Sequence, residues 1–217
     1  MAVIKLILKK WKNNYHRLPD FIVLEGPKAG GHLGFSRQEI DDDSFKIENL
    51  TKQVSDFLNS DEDLKDKIPF FSAGGIDTKE KIDEIIDLGA SGVQIATPFI
   101  LTDECDASLE YKKVIQKATK DDIKIIQSPV GLPGRAVKTP LLERLTLGRI
   151  APKRCIDCIS HCNPKDTLYC ITDALISAVK GDYENGLFFC GANGGNNKAI
   201  RSVKELIEEL VYCKKLQ

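Results

Sequence analysis

The chain has 217 residues with 31 Lys+Arg against 32 Asp+Glu, a net charge of -1. A near-neutral balance excludes the basic surplus by which nucleic-acid binders displace counterions. The apolar runs, such as Phe21 to Leu24, fall far short of the roughly 20 residues that cross a bilayer. Seven cysteines and a start that lacks the layout of a secretory signal place the expected setting in the cytoplasm, with thiols reduced or bound to metal.

Ile4, Leu8, Trp11 and Tyr15 recur at helical spacing, and Pro19-Asp20 ends that helix. It starts at Met1 with no capping residue ahead of it, as expected of a start codon inside a longer reading frame. Phe21-Ile22-Val23-Leu24 reads as a strand buried on both faces of a parallel sheet, closed by the glycine-rich stretch from Glu25 to Gly34. A helix carrying Leu50, Val54, Phe57 and Leu58 follows. Ile68 to Ala73 reads as a second strand, closed by Gly74-Gly75. Asp77 with Glu80 reads as a capping box for a helix with Ile82, Ile85 and Ile86 inside, and Gly89 suits its C-terminus. Gly92 to Thr97 is the third strand. Regular helix–strand alternation implies βαβ units and a parallel sheet.

Beyond Thr97 the rhythm changes. Ser108 to Ala118 reads as a helix, Ile123 to Ile126 as a strand, Ser128 to Gly134 as a Pro/Gly loop and Thr172 to Lys180 as a helix. Gly186 to Gly195 reads as a loop, and Ser202 with Glu205 as the capping box of the last helix. The expected organisation is one unit of residues 1–108 with 190–217, and a second, smaller one of 109–189.

Three constellations carry chemistry. Gly74-Gly75 and Ala96-Thr97 put backbone N–H groups beside helix N-termini, which favours a bound phosphate, although two tight turns without a ligand would look the same. His32 stands in a glycine frame, Gly30-Gly31-His32-Leu33-Gly34, that lets the backbone approach a planar ligand, and a histidine there can serve as a general base. Cys155, Cys158, Cys162 and Cys170 have spacing compatible with an iron–sulfur cluster or, with His161, a zinc site, but equally with plain reduced thiols or a redox pair. The acidic runs Asp41 to Asp43 and Asp61 to Asp63 read as solvated faces. Arg135 reads either as a substrate or phosphate contact or as a surface group.

The stretches Glu25 to Gly34, Pro69 to Ile76, Gly89 to Thr97 and Ser128 to Ala136, in that order, closely resemble motifs of the nitronate monooxygenase family, formerly called 2-nitropropane dioxygenases. The resemblance implies an FMN-dependent (β/α)8 barrel enzyme that oxidises alkyl nitronates with dioxygen to a carbonyl compound and nitrite. By it, Ala73, Gly74, Gly75, Ala96 and Thr97 would hold the FMN phosphate, Gly30 and Gly31 would line the flavin site, Gln94 would lie near the flavin and His32 would be the base. A flavin-dependent enoyl-thioester reductase, whose barrel is similar around Gly30 to Gly34, and a non-catalytic subunit of such a barrel are the alternatives. The usual Gly-Thr-Arg after the last strand is here Ala96-Thr97-Pro98, without the basic side chain. A complete barrel needs eight strands and about 250 residues. This chain shows three, matching the family's sixth to eighth, so the resemblance implies an α/β fold that is a partial TIM barrel with a small Cys-containing segment: either the C-terminal piece of a split or truncated gene, or a chain that pairs with a separate N-terminal piece.

Overall fold

The computed structural model describes residues 1–160, 162–196 and 199–212. Helix α1 (Ala2–Tyr15) has no side-chain cap and ends at His16 in the left-handed region, at φ 50°. Strand β1 (Ile22–Glu25) follows, then the two-residue β2 (Gly31–His32), the short α2 (Arg37–Ile40) and α3 (Ile47–Asn59). Strand β3 (Phe70–Ala73), helix α4 (Lys79–Asp87) and strand β4 (Gly92–Gln94) complete the first half. Thr78, not Asp77, caps α4, its hydroxyl accepting from the Lys81 amide. Gly89 takes φ 101°, the conformation required just past a helix end.

Strands β1, β3 and β4 form a parallel sheet in that order, with Leu24, Ser72 and Val93 in one cross-strand row and Glu25, Ala73 and Gln94 in the next. Period-two alternation sends successive rows to opposite faces. Leu24 and Val93 pack with Leu8, Ile47, Val54 and Ile85 of α1, α3 and α4, and the Ser72 hydroxyl bonds that of Thr51 on α3 at 2.7 Å. Burying side chains such as Val54 and Ile85, both 0% exposed, contributes roughly 1.5–3 kcal/mol each. The opposite face, with Val23 and Phe71 in register, has no such cover: Val23 is 43% and Phe21 56% exposed. So β1 is buried on one face, not two: its other face opens on a groove that Phe99, Ile207 and Val211 also line. Among the described residues the strands close no barrel.

Four of the following elements were legible in outline: helix α6 (Leu109–Lys117), strand β5 (Ile123–Gln127) and the last two helices of the chain. The short α5 (Thr97–Ile100) was not, and neither were two longer elements. Strand β6 (Pro133–Val137) begins inside the expected Pro/Gly loop, since proline is tolerated at the first residue of a strand. Helix α7 (Pro140–Leu147) uses proline at its first turn, where the missing N–H costs nothing. Helices α8 (Ile171–Val179) and α9 (Val203–Tyr212) close the order. At α9, Ser202 and Glu205 form the expected reciprocal pair, backbone to side chain at 2.8 and 3.2 Å.

Strand β6 is the centre of an antiparallel sheet, β2-β6-β5. It carries Ala136 and Val137 into two apolar clusters with α6, α7, α8 and the Leu187–Cys190 segment. Because β2 lies in the glycine-rich stretch after β1, this second sheet is tied to the first at the ends of the parallel strands.

Candidate functional site

Four loops meet where the parallel strands end: 26–31, 74–77, 95–98 and 189–193. They lock together through hydrogen bonds of backbone and side chain. The Gly191 amide donates to the Thr97 hydroxyl at 2.8 Å, the Ala192 amide to the Lys28 carbonyl at 3.0 Å, and the Asn193 side chain to the Gly75 carbonyl and the Asp77 carboxylate at 3.2 and 2.9 Å. Between them lies a cleft of about 270 Å³. Gly30, Gly31, Ala73, Gly74, Gly75, Gln94, Ala96 and Thr97 all line it, the complete set expected from the resemblance apart from His32.

Gly74 and Gly75 take φ 96° and 79°, and a Cβ on Gly74 would sit 2.9 Å from the Ala29 nitrogen and the Gly26 oxygen. Among the described residues, the amides of Gly75, Ala96 and Thr97 donate to no other protein group, while Gly74 sits at the end of the β3–β4 ladder. They form a set of free donors on one wall of a cleft, with the exposed Lys28 beside them. That is the chemistry of an anion cradle. Asp77 shares the cleft, and burial pushes its carboxyl above the ordinary range.

His32 stands behind the cleft wall rather than on it. Its ring lies edge-on to Phe189, centroids 5.1 Å apart, and Phe189 and Gly31 both line the cleft. The imidazole Nε2 is 2.7 Å from the hydroxyl of Ser128, which is 2% exposed. A hydroxyl can donate or accept, so this bond holds either tautomer. Burial lowers the His32 pKa, which favours the neutral, proton-accepting ring at pH 7.

Arg135 is not a surface group, and it does not line the cleft. It is 7% exposed, and its Nη1 donates to the carbonyls of Pro27 and Ala29 at 2.5 and 2.7 Å. It holds the 26–31 loop from behind. Replacing it by lysine, which lacks the planar fork, is expected to cost about 2 kcal/mol, read as a lower urea midpoint at unchanged m-value. Sequence reasoning also missed Lys28, Asp77 and the 189–193 wall. The run Gly191-Ala192-Asn193-Gly194-Gly195 is as glycine-rich as the loops after β1 and β3, and that was the available signal.

The cysteine cluster does not form the expected metal centre. Among the described residues no three His, Cys, Asp or Glu side chains are placed to share an ion. Cys155, Cys158 and Cys162 are exposed, Cys170 stands at the N-cap of α8, and the Cys158 sulfur turns instead to the Thr172 hydroxyl at 3.1 Å. His161 and Cys213 lie outside the described residues.

Parallel strands joined by helices, with a cleft at their ends, define an α/β protein. Residues 3–212 match the nitronate monooxygenase family, and the chain belongs to it. A probable nitronate monooxygenase of Staphylococcus saprophyticus is 29% identical over 128 residues, covering 58% of this chain and 34% of that protein. The chain superposes on FabK from Thermotoga maritima with a TM-score of 0.70 at 25% identity, over 96% of its own length and 56% of that chain. Nitroalkane oxidase from Streptomyces ansochromogenes shares the fold, with a TM-score of 0.60 at 22% identity over 88% of this chain and 51% of that one. The chain therefore spans about a third of the curated relative it matches and about half of the solved ones. No helix among the described residues is long and apolar enough to cross a membrane.

Proposed function

We propose that this chain supplies the phosphate grip and the proton acceptor of an FMN-dependent enzyme of the cytoplasm that oxidises alkyl nitronates with dioxygen, giving a carbonyl compound and nitrite. The observation that carries it is the set of three free amides at Gly75, Ala96 and Thr97, lining one cleft with Gly74 at the ends of two adjacent parallel strands. They suit a terminal phosphate, with Lys28 supplying the positive charge that Pro98 in place of the family's arginine does not. Gly30 and Gly31 would flank the cofactor, and the Gln94 side chain stands in the same cross-strand row as Ala73. Bound FMN would supply the two-electron chemistry and the reaction with dioxygen.

The chain's own role in the reaction is proton handling. A nitroalkane must lose the proton on the carbon bearing its nitro group, and the neutral His32 ring can accept it through whichever nitrogen is unprotonated. The Ser128 hydroxyl keeps the ring oriented before and after transfer. A substrate supplied as the nitronate anion needs no such step.

The parallel sheet corresponds to the sixth to eighth strands of a (β/α)8 barrel, and a separate N-terminal fragment completes it. The supporting observations are the two unpaired edges, β1 and β4, and the uncovered apolar face with Phe21, Val23 and Phe71. The test is FMN binding followed by flavin absorbance and fluorescence quenching, with the chain alone and with strands one to five of a relative supplied in trans. Tight binding and nitrite release only with the added fragment are expected. Consumption of NAD(P)H with an enoyl thioester, and no nitrite, would replace this reading by the reductase one. No FMN binding under either condition would end both.

A further inference from the structure

One side chain in the cleft has the wrong charge for an anion cradle. Asp77 lines the cleft with Gly75, Ala96 and Thr97, on the same loop as the free Gly75 amide. Helix α4 does not use it, because Thr78 supplies the cap. Nor is it free to swing aside. Its Oδ1 accepts from the Asn193 side-chain nitrogen at 2.9 Å, and the same nitrogen donates to the Gly75 carbonyl at 3.2 Å. Its Oδ2 accepts from no other residue among the described ones.

An ionised carboxylate only accepts hydrogen bonds, and the oxygens of a phosphate dianion do the same. The two can face each other only with a proton between them. Lys28 does not lift this constraint. Its stem lies across Gly75, with Cβ and Cδ 2.8 and 2.9 Å from where a Cβ on that glycine would stand, and its charge acts on Glu48 of α3 as well as on Asp77. The cations of α4 are engaged elsewhere, Lys79 with Asp83 and Lys81 with Glu48 and Glu84. Glu25, Tyr111 and Cys190 also line the cleft, and burial raises the pKa of each. Burial likewise moves the Asp77 carboxyl upward, toward the second ionisation of a phosphate monoester at about pH 6, which suits the two groups to sharing one proton. We propose that Asp77 is a specificity-determining residue: the cradle takes a phosphate monoester with one proton held between ligand and carboxylate. It rejects phosphodiesters and the diphosphate linkages of dinucleotides, which bring no proton at neutral pH. This selectivity rests on the phosphate grip proposed above and needs no flavin.

Methyl phosphate and dimethyl phosphate are the probes, since only the first can carry the proton. Amide NMR signals of Gly75, Ala96 and Thr97 in the isotope-labelled chain give the affinities, with and without the added N-terminal fragment. At pH 6 the wild type should bind dimethyl phosphate about tenfold or more weaker than methyl phosphate. From pH 7 to 8 its affinity for methyl phosphate should fall about tenfold, as the protonated form is lost. In Asp77→Asn, whose amide donates to an unprotonated oxygen, that fall should vanish, and binding of methyl phosphate at pH 8 and of dimethyl phosphate should tighten about tenfold. A gain of affinity cannot come from a folding defect. Glu25→Gln should keep the wild-type slope. FMN and its methyl phosphodiester, followed by fluorescence quenching, should repeat the pattern. Methyl phosphate behaving as stated while FMN fails to bind would end the flavin reading and leave the selectivity standing. A wild-type affinity that holds or rises from pH 7 to 8, no gain in Asp77→Asn, or no response of the three amides to methyl phosphate would overturn the proposal.

Discussion

Gly30→Ala is expected to destabilise the protein by about 3 kcal/mol or more and to abolish cofactor retention. A Cβ built on Gly30 would stand 2.4 Å from the Cys190 carbonyl carbon, 2.6 Å from the Gly191 nitrogen and 2.7 Å from the Cys190 oxygen. All three are backbone atoms, and neither side can yield. The 26–31 loop is held by Arg135 through the Pro27 and Ala29 carbonyls. The 189–193 segment is held by the Thr97 hydroxyl and the Lys28 carbonyl. One methyl group must therefore push the two cleft walls apart and break bonds on both. Gly34→Ala is the matched control: its added Cβ meets nothing within 4 Å, and a change within about 0.5 kcal/mol is expected. Urea unfolding separates the two variants, and FMN titration reads the cleft. Equal stability of the two would show that the loops are not interlocked as described.

His32→Gln is expected to slow turnover of neutral nitroalkanes about 10²- to 10⁴-fold in the assembled, flavin-loaded enzyme, while turnover of preformed nitronates changes little. The split between the two substrates is the informative reading, because a merely structural histidine would affect both alike. The pH dependence has a definite sign. Desolvation depresses the His32 pKa, so the ring is neutral at pH 7, and nitroalkane turnover should fall only as pH drops through that lowered value. The same shift bears on stability. The unfolded ring takes up a proton near its ordinary pKa of about 6.5 and the folded ring resists it, so the contribution is intact above that value and lost as pH falls below it. Ser128→Ala removes the bond that orients the ring and should lower nitroalkane turnover less than His32→Gln does. If His32→Gln leaves the nitroalkane rate intact, the base lies elsewhere.

Most of the parallel half was legible because its signals are local. Short apolar runs, the glycines that follow β1 and β3 and the helical spacing between strands identify β1, β3, β4, α3 and α4; the strand-end turns pointed to Gly74, Gly75, Ala96 and Thr97, and the family resemblance supplied Gly30, Gly31, Ala73 and Gln94. Strand β6 and helix α7 escaped because both begin with proline, which local reasoning takes as a break although the first position of either element accepts it. Arg135 escaped for a related reason: a residue assigned to a loop was read as exposed, whereas as the third residue of a central strand it points its guanidinium at carbonyls more than a hundred positions away.

Amino-acid order alone determined the parallel alternation, the glycine turns and the family, since each depends on neighbours within a few residues. Only the tertiary structure decided that the 189–193 loop closes the cleft, that His32 stands behind that wall on Ser128, and that, among the described residues, four closely spaced cysteines line a mostly apolar cavity without converging. Those outcomes depend on where distant segments pack, and short-range spacing carries no information about direction in space.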